Sequence, residues 1–364
     1  MSQMIYRGIG HLNEAIAGSK KLLLVVDSSF PFLNIKEEIE SISIPYVVFD
    51  DFTPNPLYED VCKGVDLLNA EHCDTILAVG GGSSMDVAKC IKLYCRMSKE
   101  RLYLDQEYKE TGIQLIAIPT TAGTGSESTR YAVIYYDGKK QSVTHESIIP
   151  NVAILEPKVL KTLPLYQKKC TMLDALCQGI ESWWSVNSTE ESRDLSRQAV
   201  ETIMKWWREY IFENTDESAE AIMQGANLAG QAICITQTTA PHAFSYKITS
   251  LYGLPHGHAV AVCMSEIWAY MLSHPEKCID PRGQDYLEKV FRDIARSMGV
   301  DSPSAARDFF ACMLAEMKVE APVSVDRSSE IAFLSSSVNP IRLKNNPVKL
   351  DEETIQQLYS TILQ

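Results

Sequence analysis

The chain has 364 residues, 45% apolar and 22% charged, which excludes a peptide module, a disulfide mini-protein and a disordered segment and leaves room for about two domains. Its 34 Lys and Arg stand against 47 Asp and Glu, a net charge of −13 that repels nucleic-acid phosphate and anionic membrane surfaces. No apolar run approaches the roughly 18 residues that span a bilayer, and the N-terminus lacks a basic stretch leading into an apolar one, so a cytoplasmic location is expected.

From about Lys20 to Glu156, short β-branched runs recur at Leu22–Val26, Tyr46–Phe49, Thr75–Val79, Leu115–Ile118, Tyr131–Tyr135 and Val152–Leu155. Periodic segments such as Leu57, Val61, Val65 and Leu68 lie between them. Buried runs alternating with amphipathic helices predict an α/β nucleotide-binding domain of Rossmann-like type, with a mostly parallel sheet, over residues 1–158. After Glu156-Pro157 helical spacing takes over, as in Val200, Ile203, Met204, Trp207 and Ile211, so residues 159–364 are expected to form an all-α domain. The ten cysteines are scattered without a Cys-x-x-Cys pair and read as reduced, buried thiols.

Asp27 closes the first strong strand, where a carboxylate can accept both hydroxyls of an adenosine ribose and would repel a 2′-phosphate; this favours NAD(H) over NADP(H). A turn residue is the plainer reading of Asp27. Gly80-Gly81-Gly82-Ser83-Ser84-Met85-Asp86 follows a strand and opens a helix. Consecutive glycines let a pyrophosphate approach the backbone, and a helix start offers unpaired N–H groups; a tight turn capped by Ser83 and Ser84 is the alternative. A second turn, Thr120-Thr121-Ala122-Gly123-Thr124-Gly125-Ser126, also follows a strand and would flank the same ligand if the two strands are neighbours. Neither turn fits a P-loop or Gly-x-Gly-x-x-Gly pattern.

In the helical half, Asp174 and Gln178 lie one turn apart on one helix face. His242 and His256 would stand roughly 21 Å apart on one straight helix at about 1.5 Å per residue. Gly253-Leu254-Pro255 breaks the pattern between them, so a second helix beginning near Pro255 can return His256 toward His242. One Asp and two imidazoles make an N/O site for Fe(II) or Zn(II) with room for a substrate oxygen. His258 would point elsewhere.

The segments GGGSSMDVAK (80–89), PTTAGTGSE (119–127), LDALCQGIES (173–182) and LPHGHA (254–259) together resemble the iron-containing, group III alcohol dehydrogenases, and the match runs the length of the chain. Their superfamily also holds glycerol dehydrogenase and dehydroquinate synthase. The resemblance implies a dehydroquinate synthase-like fold, a homodimer and hydride transfer between NAD(H) and a small aldehyde or alcohol. It further implies that the first glycine turn holds the pyrophosphate, that Thr120 and Thr121 line the phosphate and nicotinamide side, and that Asp174, His242 and His256 are metal ligands. Two positions depart from the pattern. Gln178 stands where many iron-dependent members have a fourth ligand His, which leaves Fe(II) against Zn(II) open. Tyr246 stands where they often have a His near the nicotinamide, so proton relay would fall to Tyr246, a water chain or His258.

Arg130, Lys140, Lys247, Arg342 and Lys344 are the cations in apolar or site-adjacent segments that could clamp an anionic headgroup. The stretches ESWWSVNSTEESR (181–193) and SVNPIRLKNNPV (337–348) are similar to the branch associated with phosphonate metabolism, whose members reduce phosphonoacetaldehyde to 2-hydroxyethylphosphonate. A carbocycle-forming lyase of the dehydroquinate synthase type, a glycerol- or propanediol-type dehydrogenase and a non-catalytic NADH-binding protein are the competing readings.

Overall fold

In the computed structural model, which describes residues 3–364, the apolar runs of the first half pair into a six-stranded parallel sheet. Its strands are β1 (Met4–Arg7), β2 (Leu22–Val26), β3 (Tyr46–Phe49), β4 (Thr75–Gly80), β5 (Gln114–Pro119) and β8 (Val152–Leu155), in the order β1-β8-β5-β4-β2-β3. Strands buried on both faces need no polar alternation, which is why Leu22-Leu23-Leu24-Val25-Val26 is apolar throughout and fully buried. Strands β4 and β5 are neighbours in a register that sets Gly80 opposite Pro119. The two Gly/Thr-rich turns therefore leave adjacent strands at the same edge, as ligand-binding turns do in open α/β sheets.

Tyr131–Tyr135 departs from the expected pattern. As β6 (Tyr131–Tyr136) it pairs antiparallel with β7 (Lys139–Thr144) in a separate two-stranded sheet. The cause is Asp137-Gly138, with φ of 50° and 66°, a tight hairpin turn that reverses the chain before any crossover can form. The edge strand β1 has only one partly buried residue, so its sequence carries no buried-strand signal.

Helices of ten residues or more are numbered in chain order. In the first unit α1 (Tyr58–Ala70) packs on α2 (Gly82–Tyr94). Gly64 is required at the crossing, since a Cβ there would meet Phe49 at 2.9 Å and run into Ile91. Ile91, Val61, Val65, Leu68 and Phe49 form one apolar cluster with the sheet residues Ile76, Ala78 and Ala117.

The chain divides into two compact units: one runs to Leu163 and takes up Asn214–Asn227, and the other holds Pro164–Glu213 and Leu228–Gln364. The second unit is helical, with α3 (Leu165–Trp184), α4 (Glu190–Arg208), the C-terminal part of α5 (Asp216–Thr236), α6 (Ala240–Tyr252), α7 (His256–Ser273), α8 (Gln284–Ser297), α9 (Pro303–Met317), α10 (Arg327–Ser336) and α11 (Glu352–Ile362). Helix α3 packs against α4 and α7, and α6 against α7. Edge-to-face contacts of Trp184 with Trp268 and Phe291 fill the centre. Among the described residues all ten cysteines are free, and no helix is long and apolar enough to cross a membrane.

Because Ile91 is fully buried against Gly64, Ile91→Ala should lower the unfolding free energy of the first unit by about 2–5 kcal/mol. Denaturant titration followed by far-UV circular dichroism checks this; an unchanged midpoint contradicts the packing described.

Candidate active site

Three helices of the second unit build the central cluster. Helix α3 begins after Pro164 and is buried along most of its length, carrying Asp174, Gln178 and Glu181 at spacings of four and three on one face. Helix α6 follows Thr239, has Pro241 in its first turn and stops at Gly253, whose φ of 65° is the left-handed cap that ends a helix. Leu254-Pro255 then starts α7 at His256. This reversal sets the His242 and His256 rings 5.3 Å apart at 70°. Ligand atoms of Asp174, His242 and His256 all lie within 4.8 Å of one another.

The approach of α7 to α3 depends on Gly257. A Cβ at that position would meet Asp174 Cβ at 2.8 Å and fall onto the Cys170 carbonyl. Without that glycine His256 would be held away from Asp174.

The electrostatics of the cluster are those of a cation site. Asp174 and His242 are 3% and 4% exposed. Asp174 Oδ1 lies 3.3 Å from His242 Nε2, yet it is a buried oxygen that makes no hydrogen bond. A buried carboxylate oxygen in that condition is costly unless positive charge stands beside it. Burial pushes the Asp174 carboxyl up, but His242 and His256 outweigh burial and hold it below its ordinary value. Burial would depress His242, but the carboxylates of Glu181 and Asp174 lift it to about 9. These donors fit a divalent metal, with two imidazoles and one carboxylate converging and the Gln178 amide beside Asp174.

Glu181 escaped the sequence reading. It is fully buried, its Oε1 accepts from His242 Nδ1, and its Oε2 accepts from the Thr239 amide at 2.6 Å and from the Thr239 hydroxyl at 2.8 Å. The available signal was a carboxylate two helical turns after Asp174 inside an otherwise apolar run.

Tyr246 lies flat on His256, with ring centroids 5.7 Å apart and planes within 2°. Burial raises its phenol above the ordinary range, while Arg342 pulls the other way and Thr238 hydrogen-bonds it. Arg342 is half-buried; its Nη1 donates to Thr238 Oγ1 at 3.5 Å, and among the described residues it forms no ion pair. Asn345 anchors this segment through the Thr238 carbonyl at 3.1 Å.

The structure does not bring the remaining candidates to the cluster. His258 is held by Tyr166 Oη on Nδ1 and by the Glu320 carbonyl on Nε2, each at 2.7 Å, which removes it as a proton relay. The cause is helical geometry, since two residues beyond His256 the side chain leaves that face. Lys247 is exposed, its ammonium 5.8 Å from the Phe333 ring centre, and Lys344 is exposed. In the first unit, Arg130 pairs with Glu146 and Tyr131, and Lys140 is exposed on β7.

The first unit closes its two turns on each other. A Cβ at Gly82 would meet Thr124 Cγ2 at 3.1 Å, and one at Gly81 would meet Thr121 Cγ2 at 3.7 Å. Thr120 N–H donates to the Gly80 carbonyl at 3.0 Å. Asp27 braces the first turn, its Oδ2 accepting from Ser84 Oγ at 2.8 Å and Gly81 N at 3.4 Å, and its Oδ1 from Ser29. Ser83 lies in the first turn of α2, whose leading N–H groups, unused within the helix, fit a diphosphate. Asp86 and Ser126 stitch the second turn to α2: Ser126 Oγ donates to Asp86 at 3.2 Å, and buried Lys89 donates to Ser126, Thr129 and the Tyr131 carbonyl. Burial pushes the Asp86 carboxyl up to about 6.

The family model for iron-containing alcohol dehydrogenase matches residues 4–157, and that for the Fe-containing alcohol dehydrogenase family, C-terminal, matches residues 169–363. The chain is 31% identical over 331 residues to the phosphonoacetaldehyde reductase of Streptomyces viridochromogenes, covering 86% of this chain and 82% of that protein. It is 28% identical to alcohol dehydrogenase 4 of Schizosaccharomyces pombe over 94% of this chain and 85% of that one. A crystal structure of sulfoacetaldehyde reductase from Bifidobacterium kashiwanohense in complex with NAD+ superposes with a TM-score of 0.86 at 24% identity, covering 99% of this chain and 96% of that one.

Gly257→Ala should weaken Zn(II) binding by the full chain, measured by chelator competition; undiminished affinity contradicts the role given to this contact. Because His242 holds its proton up to about 9 and a metal must displace that proton, apparent Zn(II) affinity should rise by about tenfold per pH unit between roughly pH 6 and 8. Calorimetry across buffers reads the proton released; an affinity independent of pH contradicts the assignment.

Proposed function

The chain belongs to the iron-containing alcohol dehydrogenase family and is an oxidoreductase acting on CH–OH groups, and from that premise we propose that it transfers hydride between NAD(H) and a small aldehyde bearing an anionic headgroup. The favoured reaction is reduction of phosphonoacetaldehyde to 2-hydroxyethylphosphonate. The carrying observation is Arg342, a half-buried guanidinium with no carboxylate partner among the described residues, acting electrostatically on a tyrosine stacked on His256. A guanidinium fork suits phosphonate oxygens. The reductase of Streptomyces viridochromogenes and the structural neighbour from Bifidobacterium kashiwanohense, named for phosphono- and sulfoacetaldehyde, support a two-carbon aldehyde with an acidic headgroup.

In this reading Asp174, His242 and His256, with Gln178 adjacent, would hold one divalent metal, Fe(II) or Zn(II). When bound, the metal supplies a Lewis acid for the substrate oxygen that gains charge as hydride arrives. Arg342 binds and orients the headgroup. Tyr246, its pKa raised, keeps its phenolic proton and serves as a hydrogen-bond donor rather than a base. Gly80, Gly81 and Gly82 with the α2 N–H groups receive the cofactor diphosphate, and Asp27 at the same turn disfavours a 2′-phosphate.

Phosphonoacetaldehyde should exceed propanal in kcat/KM with NADH. Removing one charge-assisted contact costs about 1.5–3 kcal/mol, so Arg342→Ala should lower kcat/KM for phosphonoacetaldehyde by about 10–100-fold and leave propanal nearly unchanged. A preference for propanal, or equal losses on both substrates, rejects the anionic-substrate reading.

A further inference from the structure

Asp174, Gln178 and Glu181 share one face of α3, but Glu181 is not among the residues whose ligand atoms converge. Its carboxylate is completely buried, accepts three hydrogen bonds and forms no ion pair with Lys or Arg among the described residues. A buried carboxylate is expensive to keep without positive charge beside it, so its retention in an apolar helix calls for a compensating charge within reach. That charge reaches it through His242, as a proton on the ring or an ion held on its other nitrogen.

The bonding fixes the protonation pattern of that ring. A carboxylate only accepts, so His242 Nδ1 must carry a hydrogen and donate it to Glu181 Oε1. Nε2 then faces Asp174 Oδ1 at 3.3 Å, and once it gives up its proton it has a lone pair directed at the ligand cluster. Glu181 is itself held in place. The Thr239 amide and hydroxyl both donate to Oε2, Trp184 Nε1 donates to Thr239 Oγ1 at 2.9 Å, and Thr239 immediately precedes the helix that carries His242.

We infer that Glu181 is a positioning residue for the metal, fixing His242 as the Nδ1–H tautomer with Nε2 toward the ion and adding a second buried negative charge behind it. This rests on the reading of Asp174, His242 and His256 as a metal site. Such carboxylate–histidine partners orient metal ligands, and losing one typically weakens metal affinity by about 10–100-fold.

Glu181→Gln is the informative change because it keeps the shape and removes the charge. Thr239 presents two donors to one oxygen, so the amide oxygen turns to Thr239 and the NH2 faces His242 Nδ1. The ring is then driven to the Nε2–H tautomer, which cannot ligate through Nε2. Phe291→Leu loosens the packing on Trp184 while leaving every hydrogen bond of Glu181 in place, and serves as the structural control.

The test is Zn(II) affinity of the full chain by chelator competition, with the melting temperature of each metal-free protein measured alongside. Glu181→Gln should weaken Zn(II) by about 10–100-fold and change the Co(II) absorption spectrum, while Phe291→Leu lowers the melting temperature and leaves Zn(II) affinity near wild type. Unchanged affinity in Glu181→Gln, or equal losses in both variants, overturns the inference. If the wild-type chain itself fails to bind Zn(II) or Co(II), the metal-site reading fails instead. Should Glu181→Gln not fold, long-range 1H–15N spectra of the Zn(II)-loaded wild type decide: a protonated Nδ1 on His242 is expected, and an Nε2–H tautomer overturns the inference.

Discussion

Asp174 and Glu181 place two buried carboxylates on either side of one imidazole, and the second unit is arranged around the need to neutralise them. These carboxylates push His242 up to about 9 against the effect of burial, so the ring favours the protonated form when no metal stands there. A divalent ion satisfies the same two carboxylates and also engages Asp174 Oδ1, the buried oxygen otherwise left without a hydrogen bond. The site thus favours positive charge whether that charge is a proton or a metal.

Backbone geometry makes this electrostatic arrangement possible. Gly253 ends α6 in the left-handed conformation and Pro255 starts α7, so two histidines fourteen residues apart come to a ring separation of 5.3 Å. Gly257 lets α7 lie directly on the α3 backbone. Thr238 and Thr239, consecutive residues at the head of α6, hold different functional groups: Thr238 accepts from Arg342, and Thr239 donates to Glu181. Anion recognition and metal-ligand orientation in the proposed function therefore lean on the same helix start.

Much of this was legible in the sequence because it depended on local chemistry. Continuous apolar runs identified the parallel strands, and the break at Gly253-Leu254-Pro255 identified the reversal between the histidines. What stayed hidden depended on tertiary partners. Glu181 looks like a charge on an amphipathic helix until the fold puts Thr239 and His242 against it. Arg130, Lys140, Lys247, Arg342 and Lys344 are equivalent as cations in a string of letters; only packing gives Arg130 a carboxylate and leaves Arg342 without one among the described residues. Asn214–Asn227 joins the first unit although nothing in its composition differs from the helices around it, and inside that unit Asn227 donates to the buried Glu127 carboxylate at 2.9 Å. The β6–β7 hairpin was announced by Asp137-Gly138, but the β-branched run before it masks the signal.

The central claim is that Asp174, His242 and His256 together bind one metal ion in this chain. Anomalous diffraction from crystals of the protein purified without chelator, collected on both sides of the iron and zinc absorption edges, tests it most directly. The account predicts a single strong peak per chain within bonding distance of one oxygen of Asp174 and the Nε2 of His242, with His256 completing the contact. A peak elsewhere, or fully ordered side chains at these three residues with no anomalous density between them, would contradict it.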